Sequence, residues 1–199
     1  MELGLQSFCL RGIKDNDDVA AAVRTCGLRR IEVCAVHASF DDPTGFAALA
    51  ARYRENGVAV VSIGVNRLGT DRAAAERVFA CAQAAGLTRM SVDFPIEGAE
   101  DALALADELS EKHGVRVGIH NHGGRHWLGS RQALRWAFSR TSARVGLSLD
   151  TAWALDAGED PVEIVREHGE RLHIVHVKDF LFSGARVPED VVVGTRSEE

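Results

Sequence analysis

Three apolar runs that end in polar side chains decide the fold: Val117-Gly118-Ile119-His120-Asn121-His122, Val145-Gly146-Leu147-Ser148-Leu149-Asp150 and Leu172-His173-Ile174-Val175-His176-Val177-Lys178-Asp179. Each run begins like a buried strand and ends with histidine, carboxylate or lysine. In α/β folds, ligands and catalytic groups lie at the carboxyl ends of the parallel strands. The three runs therefore predict both a parallel sheet and a site at one end of it.

Similar runs recur along the chain at intervals of about 30 residues, which is the length of one βα unit. They begin near Leu3, Arg30, Ala59, Arg89, Val115, Val145 and Leu172. The segments between them have helical patterns over residues 17–26, 44–55, 71–85, 99–113, 130–139 and 161–168. Strict alternation predicts an α/β fold with a mostly parallel sheet. Seven repeats of one unit favour a (β/α) TIM-type barrel over a doubly wound sheet.

The two ends of the chain bear on this prediction in different ways. The first βα turn, residues 9–13, lacks the Gly-rich pattern of a dinucleotide-binding fold. After Asp179 no helical pattern follows. We therefore expect a single domain over residues 1–199, a barrel with about seven recognisable strands whose eighth βα unit is missing. The open edge would be covered by a second copy in a homodimer, by the run 191–193, or not at all.

Composition limits the classes of partner. The chain has 199 residues, of which 46% are apolar, and its formal net charge is −6. This acidic balance argues against nucleic acid or an anionic membrane as a bulk partner. No run reaches the ~18 apolar residues of a membrane span, and the first residues lack the features of a secretion signal. The expectation is a cytoplasmic protein.

The four cysteines are Cys9, Cys26, Cys34 and Cys81. They are widely spaced and form no Cys-x-x-Cys pair, which gives little support to a zinc cluster or a disulfide. We expect reduced thiols, most of them buried as small apolar side chains.

The period of two along a strand predicts which side chains share a face. The predicted inward sets are Gly118, His120 and His122; then Gly146, Ser148 and Asp150; then Leu172, Ile174, His176 and Lys178. If these faces point into a barrel, His120, Asp150 and His176 converge at its mouth. Imidazole and carboxylate together suit Mn, Fe, Co, Ni or Zn, and a three-ligand site leaves room for water or substrate. For any one histidine, a hydrogen-bonded structural role is the alternative.

At these residues the chain resembles a known family. The motifs Ile119-His120-Asn121-His122-Gly123, Leu149-Asp150-Thr151-Ala152-Trp153, Ala157-Gly158-Glu159-Asp160-Pro161 and His176-Val177-Lys178-Asp179 are similar to those of the xylose isomerase-like TIM barrels. These are the sugar phosphate isomerase/epimerase proteins, related in fold to endonuclease IV, inosose dehydratase and the ketose 3-epimerases. Ile31-Glu32-Val33 resembles the acidic second strand of the family. The resemblance extends from Leu3 to about residue 194.

The resemblance implies one divalent metal, Mn, Zn, Co, Fe or Mg, held by residues at the ends of strands five to eight. Asp150 and His176 match the second and third ligands of the family. His120 stands where many members have glutamate, and imidazole can replace a carboxylate ligand. The fourth ligand would come from the eighth strand. Glu198 and Glu199 follow the preceding loop too closely to replace it.

Three further residues are candidates for catalysis. Glu32 is a candidate general base or ligand of a sugar hydroxyl, with a salt bridge inside the barrel mouth as the alternative. His122 would touch substrate or orient His120. Lys178 would stabilise an enediolate or bind a substrate oxygen, and a Schiff base is a further possibility. Its structural alternative is an ion pair with Asp179 or Glu32.

Four residues are candidates for substrate binding. His37 follows the second strand and would face the site, unless it lies in a surface loop. Arg125 and His126 would bind a substrate oxyanion, unless their loop is only solvated. Trp153 would pack against a sugar face, with burial under the loop as the alternative. Asp93 ends the fourth run with a direction that the pattern does not determine, and we interpret His113, His168 and His173 as structural.

These observations support three hypotheses. The first is a metal-dependent sugar or cyclitol isomerase or epimerase that works through an enediolate-type proton transfer, with lyase or dehydratase chemistry as a variant. The second is a truncated, catalytically inactive barrel that retains ligand or partner binding. The third is a phosphodiesterase like endonuclease IV, which the acidic charge and the small number of His and Glu ligands disfavour. The expected partner is a small sugar or sugar-like molecule.

Overall fold

The computed structural model describes residues 2–123, 125–181 and 189–194. The strands are β1 (Leu5–Gln6), β2 (Arg30–Val33), β3 (Ala59–Ile63), β4 (Asn66–Arg67), β5 (Arg89–Asp93), β6 (Arg116–His120), β7 (Val145–Asp150), β8 (Leu172–His176), β9 (Asp179–Leu181) and β10 (Glu189–Val191). The helices are α1 (Asn16–Thr25), α2 (Pro43–Glu55), α3 (Arg72–Ala84), α4 (Ala99–His113), α5 (Arg131–Phe138), α6 (Thr151–Asp156) and α7 (Pro161–His168). The seven predicted strand runs and six predicted helices are confirmed within two residues at the positions that were stated.

The parallel strands follow one another in chain order. One sheet contains β1 to β3 and a second contains β4 to β8. Residues 59–67 join the two sheets, because their first part pairs with β2 and their last part pairs with β5. The N–H of Gly64 donates to the Val33 carbonyl at 3.0 Å, and the N–H of Leu68 donates to the Asp93 carbonyl at 2.8 Å. The result is the strand arrangement of a (β/α) barrel.

Helix starts and the buried core hold these strands in place. Six helices in the described ranges begin after a side chain that accepts a backbone N–H, namely Asp15, Asp42, Asp71, Ser130, Asp150 and Asp160. Such caps satisfy donors that the first helical turn leaves unpaired. Between helices and strands lie fully buried side chains such as those of Phe79, Leu103 and Ile119. Each contributes about 1.5–3 kcal/mol by its burial. The capped helices and the packed core therefore fix the positions of the strand ends.

The structure contains a short helix and a hairpin that the sequence pattern does not predict. Helix α6 starts immediately after β7, and its 6 residues are too few to display a helical period. Strands β9 and β10 pair antiparallel, with Asp190 opposite Phe180 and Val191 opposite Asp179. The run expected to cover the open edge thus takes part, through Val191, in a hairpin.

The inward face predicted for the seventh run is wrong, because β8 contains a bulge. Leu172 pairs with Leu147, and Ile174 pairs with Ser148, so that His173 is an extra residue between them. Leu172 and Ile174 therefore lie on opposite faces, contrary to the period-two prediction. The ring of His173, predicted to face outward, sits directly over Gly146. A bulge of this kind depends on pairing with the neighbouring strand and leaves no mark in the run itself.

The cysteines were predicted correctly only in part. All four are free thiols, and Cys34 and Cys81 are buried. Cys9 and Cys26 are exposed; Cys9 lies in a short 3-10 helix after β1, and Cys26 is the C-cap residue of α1.

Two expectations concern the barrel edge and the tail. Within the described ranges, β1 and β8 each have one hydrogen-bonded neighbour and do not pair with each other. A second copy at this edge stays a prediction. Glu198 and Glu199 lie outside the described residues. Among the helices of the described ranges, none combines the length and apolar character needed to cross a bilayer.

We predict that Gly146→Ala destabilises the fold. A Cβ at this position would lie 2.6 Å from Cε1 of His173 and closer still to the Arg171 carbonyl oxygen. Overpacking of this kind costs about 1–3 kcal/mol. Urea denaturation should show a lower midpoint for this variant. Gly12→Ala is the control, because a Cβ there meets nothing within 4 Å. Equal stability of the two variants would contradict the bulge geometry.

Candidate metal centre

Three residues at the ends of neighbouring strands meet as predicted. His120 ends β6, Asp150 ends β7 and His176 ends β8. One ligand atom from each lies within 4.8 Å of the others. Nε2 of His120 is 3.4 Å from Oδ2 of Asp150, and the rings of His120 and His176 are 5.2 Å apart between centroids. The side chains are almost wholly buried, so this donor set is shielded from bulk water.

Asp150 is held in position by the two elements that meet at it. Its Oδ1 accepts the N–H of Trp153 at 3.0 Å and so caps α6, which leaves Oδ2 facing His120. Asn121 holds the Asp150 backbone by donating to its carbonyl at 3.0 Å and accepting its N–H at 2.7 Å. One oxygen of the carboxylate is thus fixed by the helix start, and the other is presented to the cluster.

Glu32 adds a second buried carboxylate beside the cluster. Its Oε1 lies 3.0 Å from Nε2 of His176, although the two atoms are too misaligned for a hydrogen bond. Its Oε2 accepts a hydrogen bond from the hydroxyl of Ser91 at 2.9 Å. Ser91 also contacts the Ser148 hydroxyl at 3.0 Å, which links β2, β5 and β7 across the interior. The salt-bridge alternative stated for Glu32 is therefore present.

The charges in the cluster stabilise one another. Burial acts to raise the pKa of Glu32, but the facing His176 and the nearby serines outweigh it, and the pKa is lowered. Burial acts to lower the pKa of His176, but the Glu32 carboxylate outweighs it, and the pKa is raised. Burial likewise opposes ionisation of Asp150, yet His120 brings its pKa below the usual value. The cluster thus favours ionised carboxylates at neutral pH.

The donor set fits a divalent cation. Nδ1 of His120, Nε2 of His176 and Oε1 of Glu32 are buried and lack hydrogen-bond partners among the described residues. Buried polar atoms are normally satisfied, so unpaired atoms beside a carboxylate indicate a missing partner. Two imidazoles with a carboxylate are typical ligands of Zn, Fe, Co and Mn. A cation at the cluster would pair with Nε2 of His176 and reduce the repulsion between the two carboxylates.

A second group of titratable residues lies next to the first. Nε2 of His122 and Nε2 of His126 lie 3.8 Å and 3.5 Å from Oδ1 of Asp93. Nδ1 of His126 accepts the N–H of Leu128 at 3.2 Å. A neutral imidazole that accepts at Nδ1 carries its proton on Nε2, so His126 directs a donor at Asp93. Oδ1 of Asp93 and Nε2 of His122 nevertheless lack hydrogen-bond partners among the described residues, so the geometry of this group also admits a cation.

His122 connects the two groups. Its ring lies 4.7 Å from that of His120 and 4.4 Å from that of His126, between centroids. Burial, followed by the charges of these two histidines, lowers the pKa of His122 to about 3. Its imidazole is therefore neutral at physiological pH, and its buried Nε2 has no hydrogen-bond partner in the described chain.

Lys178 and Trp153 form the rim of the cluster. Nζ of Lys178 lies 3.0 Å from Oδ1 of Asp190, on β10, and 5.2 Å from the centroid of the Trp153 ring. The sequence analysis named Asp179 or Glu32 as the ion-pair alternative for Lys178, and in the structure the hairpin brings Asp190 to the lysine. The Trp153 ring packs edge-on against Phe180 at 4.5 Å.

The remaining predicted residues lie in different environments. His37 is buried and donates from Nε2 to the Ile13 carbonyl at 2.9 Å, so it joins neither group. Arg125 is exposed in the loop after β6. His113 contacts Gln83, and Nδ1 of His173 donates to the Val117 carbonyl at 3.0 Å, which agrees with their structural interpretation.

Sequence reasoning missed Asn121, Ser91, Asp93 and Asp190 as parts of this region. Ser148 was placed on the inward face, and the same period applied to β5 would have indicated Ser91. Asn121, between two candidate histidines, was quoted without a role. Asp190 gave no signal, because its contact with Lys178 depends on a hairpin.

Comparisons with known proteins agree with the fold. The family model described as "Xylose isomerase-like TIM barrel" matches residues 20–195. No curated protein sequence gives a significant match. Among solved structures, a sugar phosphate isomerase/epimerase from Parabacteroides distasonis is 15% identical, with a TM-score of 0.69, over 94% of this chain and 81% of that one.

Two other solved structures are similar. The 3-keto-D-glucoside 4-epimerase of E. coli is 13% identical, with a TM-score of 0.72, over 93% of this chain and 83% of that one. The probable 3-DHS dehydratase involved in petrobactin synthesis from Bacillus anthracis is 12% identical, with a TM-score of 0.73, over 94% of this chain and 76% of that one. Identities this low establish a shared fold and no more.

We predict that Glu32→Gln lowers the pKa of His176 in the metal-free protein, because the facing carboxylate is what raises it. The raised pKa means that the pair stabilises the fold fully below 6.5, the ordinary histidine value, and less as the pH rises through the raised value. On the acid side the stabilisation is lost as the pH falls through the lowered pKa of Glu32.

The measurement is a histidine titration by 1H–15N NMR after dialysis against a chelator. Asp93→Asn is the matched control, because its carboxylate contacts His122 and His126 instead. A His176 pKa that is unchanged in Glu32→Gln, or lowered equally in both variants, would show that the ion pair is not the cause.

Proposed function

Because the chain belongs to the xylose isomerase-like TIM barrel family, we propose that it is a metal-dependent sugar or cyclitol isomerase or epimerase. The observation that carries this proposal is the buried set of His120, Asp150 and His176 at the carboxyl ends of three consecutive strands. Sites at that end of a barrel are where its chemistry is done. The isomerase and epimerase activities of the similar structures support the same class of reaction.

The same three residues would hold one divalent cation. When bound, such a cation supplies Lewis acidity that polarises a carbonyl and an adjacent hydroxyl. Two imidazole donors favour Zn, Fe, Co or Mn over Mg. Glu32 would add negative charge beside the cation, because its Oε1 faces Nε2, the nitrogen of His176 that lacks a hydrogen bond.

Two buried atoms are candidates for moving the proton next to the carbonyl. Oε1 of Glu32 lies beside His176, and Nε2 of His122 lies in the ring that contacts His120. Both atoms lack hydrogen-bond partners in the described residues, so each is open to a substrate, although the lowered pKa values of Glu32 and His122 make both groups weak bases in the metal-free protein. An epimerase removes a proton from one face of a carbon and returns it to the other. Two acceptors on different sides of the donor set suit that requirement.

The rim residues would bind the substrate. The Trp153 indole presents an apolar face of the kind that packs against sugar rings. Nζ of Lys178 is held close to that ring and to the Asp190 carboxylate. We assign it charge stabilisation of a substrate oxygen rather than Schiff-base formation. His126 and Arg125, in the loop after β6, would contact substrate oxygens beyond the donor set.

A binding protein without turnover is the second candidate. The described residues bring three protein donors together in this cluster, one fewer than the four that the resemblance implies. A cation held by three protein ligands keeps open positions, which also suits catalysis. The two candidates therefore differ in proton transfer and not in ligand binding.

We predict that the protein binds one equivalent of Zn or Mn and that Asp150→Asn or His120→Ala weakens this binding at least tenfold. Loss of a ligand exceeds the 10–100-fold effect usual for removing a residue that only orients a ligand. Elemental analysis after metal loading and desalting gives the stoichiometry, and chelator competition gives the affinity. Asp101→Asn and His113→Ala, on α4, are controls of matched chemistry that should bind normally. Equal losses in all four variants would contradict the assignment.

We further predict that the metal-loaded enzyme exchanges a substrate proton with solvent. A panel of ketohexoses, ketopentoses and inosose in D2O should show deuterium beside the carbonyl by NMR. Glu32→Gln or His122→Gln should reduce the exchange by about 10²-fold or more, since general bases typically contribute 10²–10⁴-fold. Full metal occupancy without exchange on any member of the panel would favour the binding protein.

A further inference from the structure

A cationic pocket lies at the end of the strands opposite the metal-ligand cluster. It is a cavity of about 440 Å³, and its lining includes Thr88, Arg89, Arg116, Arg144 and His173. Arg89 is the first residue of β5, Arg116 is the first residue of β6, and Arg144 directly precedes β7. The pocket is therefore at the amino-terminal ends of the strands, whereas the donor set is at their carboxyl ends.

The strand register forces the three arginines together. Arg89 pairs with Arg116 in the β5–β6 ladder. The next pair, Val117 with Val145, places Arg116 beside Arg144. Neighbouring strands lie about 4.8 Å apart, and like charges directly opposite one another are destabilising. The three guanidinium groups therefore repel one another, because the register of the strands keeps them adjacent.

Among the described residues, no carboxylate offsets these charges. In the described part of the chain, no carboxylate oxygen lies within ion-pair distance of Arg89, Arg116 or Arg144, while nine other arginines have such a partner: Arg30, Arg52, Arg67, Arg72, Arg77, Arg131, Arg135, Arg140 and Arg166. Arg89 donates one hydrogen bond, to the His173 carbonyl at 3.3 Å. Each guanidinium has five N–H donors, so most of the donors around the cavity have no acceptor among the described residues and are open to solvent.

The bulge in β8 shapes the remaining wall. The absence of a side chain at Gly146 gives the His173 ring room to turn inward. Nδ1 of His173 donates to the Val117 carbonyl, which leaves the lone pair on Nε2 of the neutral ring. Burial is the largest cause of the lowered pKa of His173, so the ring adds no further positive charge at neutral pH. The positive charge of the wall therefore comes from the arginines, and the Thr88 hydroxyl adds a further hydrogen-bonding group.

We propose that this pocket binds a small phosphate-type anion. Guanidinium groups bind phosphate and carboxylate oxygens by paired hydrogen bonds, and a dianion would offset the repulsion among the three arginines. The volume is within the range of small-molecule pockets, so either inorganic phosphate or the phosphate group of a small ester fits. The site goes beyond the proposed catalytic function. Arg116 and His120 are four residues apart on β6, about 13 Å along the strand, so one ligand does not fill both sites.

The test is isothermal titration calorimetry at constant ionic strength with inorganic phosphate, glycerol 3-phosphate and glycerol. We expect one saturable site for each phosphate, none for glycerol, and at least tenfold weaker binding by Arg116→Gln and Arg144→Gln. Arg54→Gln is the matched control, an exposed arginine outside the pocket, and should bind as the parent does. Tighter binding of glycerol 3-phosphate than of phosphate would identify an ester as the ligand, and equal binding would identify the free anion.

Measurements of thermal stability and metal content distinguish loss of this pocket from misfolding and from loss of the metal-ligand cluster. Without phosphate, Arg116→Gln should melt at or above the temperature of the parent, because like-charge repulsion is relieved. Its Zn stoichiometry should be unchanged, so failure of the catalytic proposal and failure of this one are distinguishable. Binding that does not saturate, or that is weakened equally in Arg54→Gln, would overturn the proposal. If Arg116→Gln fails to fold, normal phosphate binding by a folded Arg144→Gln would overturn it as well.

Discussion

Two ionised carboxylates inside the strand barrel are the constraint on which the rest of the site depends. An isolated charge removed from water is strongly destabilising unless it is paired or hydrogen-bonded. Glu32 and Asp150 are both buried, and each faces an imidazole at the end of a different strand. Because each carboxylate also accepts a hydrogen bond from the fold, the pairs are held without mobile side chains. Removing either imidazole would leave a buried charge without its partner.

This constraint explains why polar residues replace the usual branched apolar layer near the barrel mouth. Ser91 and Ser148 occupy inward positions where barrels commonly carry valine, isoleucine or leucine. Their hydroxyls contact each other, and that of Ser91 also bonds to Glu32, so the polar layer is continuous. The apolar core lies outside the strands, among side chains such as Phe79 and Leu109. Packing energy and site chemistry thus occupy different layers of the same fold.

The sequence predicted what depends on local periodicity and missed what depends on pairing between distant segments. The strand ends with His120, Asp150 and His176 follow from period-two alternation and the βα repeat, so their convergence was foreseeable. The inward turn of His173 follows from a bulge against β7, and the Lys178–Asp190 contact follows from a hairpin. Neither event is encoded in one run of residues. The tautomer of His126 likewise depends on a tertiary backbone position, that of the Leu128 N–H.

The start of α6 at Asp150 has a consequence for the thermodynamics of ligand capture. Because Oδ1 is already engaged by the Trp153 N–H, the carboxylate cannot rotate freely before a ligand arrives. The side-chain entropy that a mobile aspartate would lose on coordination has been lost during folding. Affinity at Oδ2 is thereby linked to the stability of a helix of six residues. Conditions that fray this helix would weaken capture without altering any atom that meets the ligand.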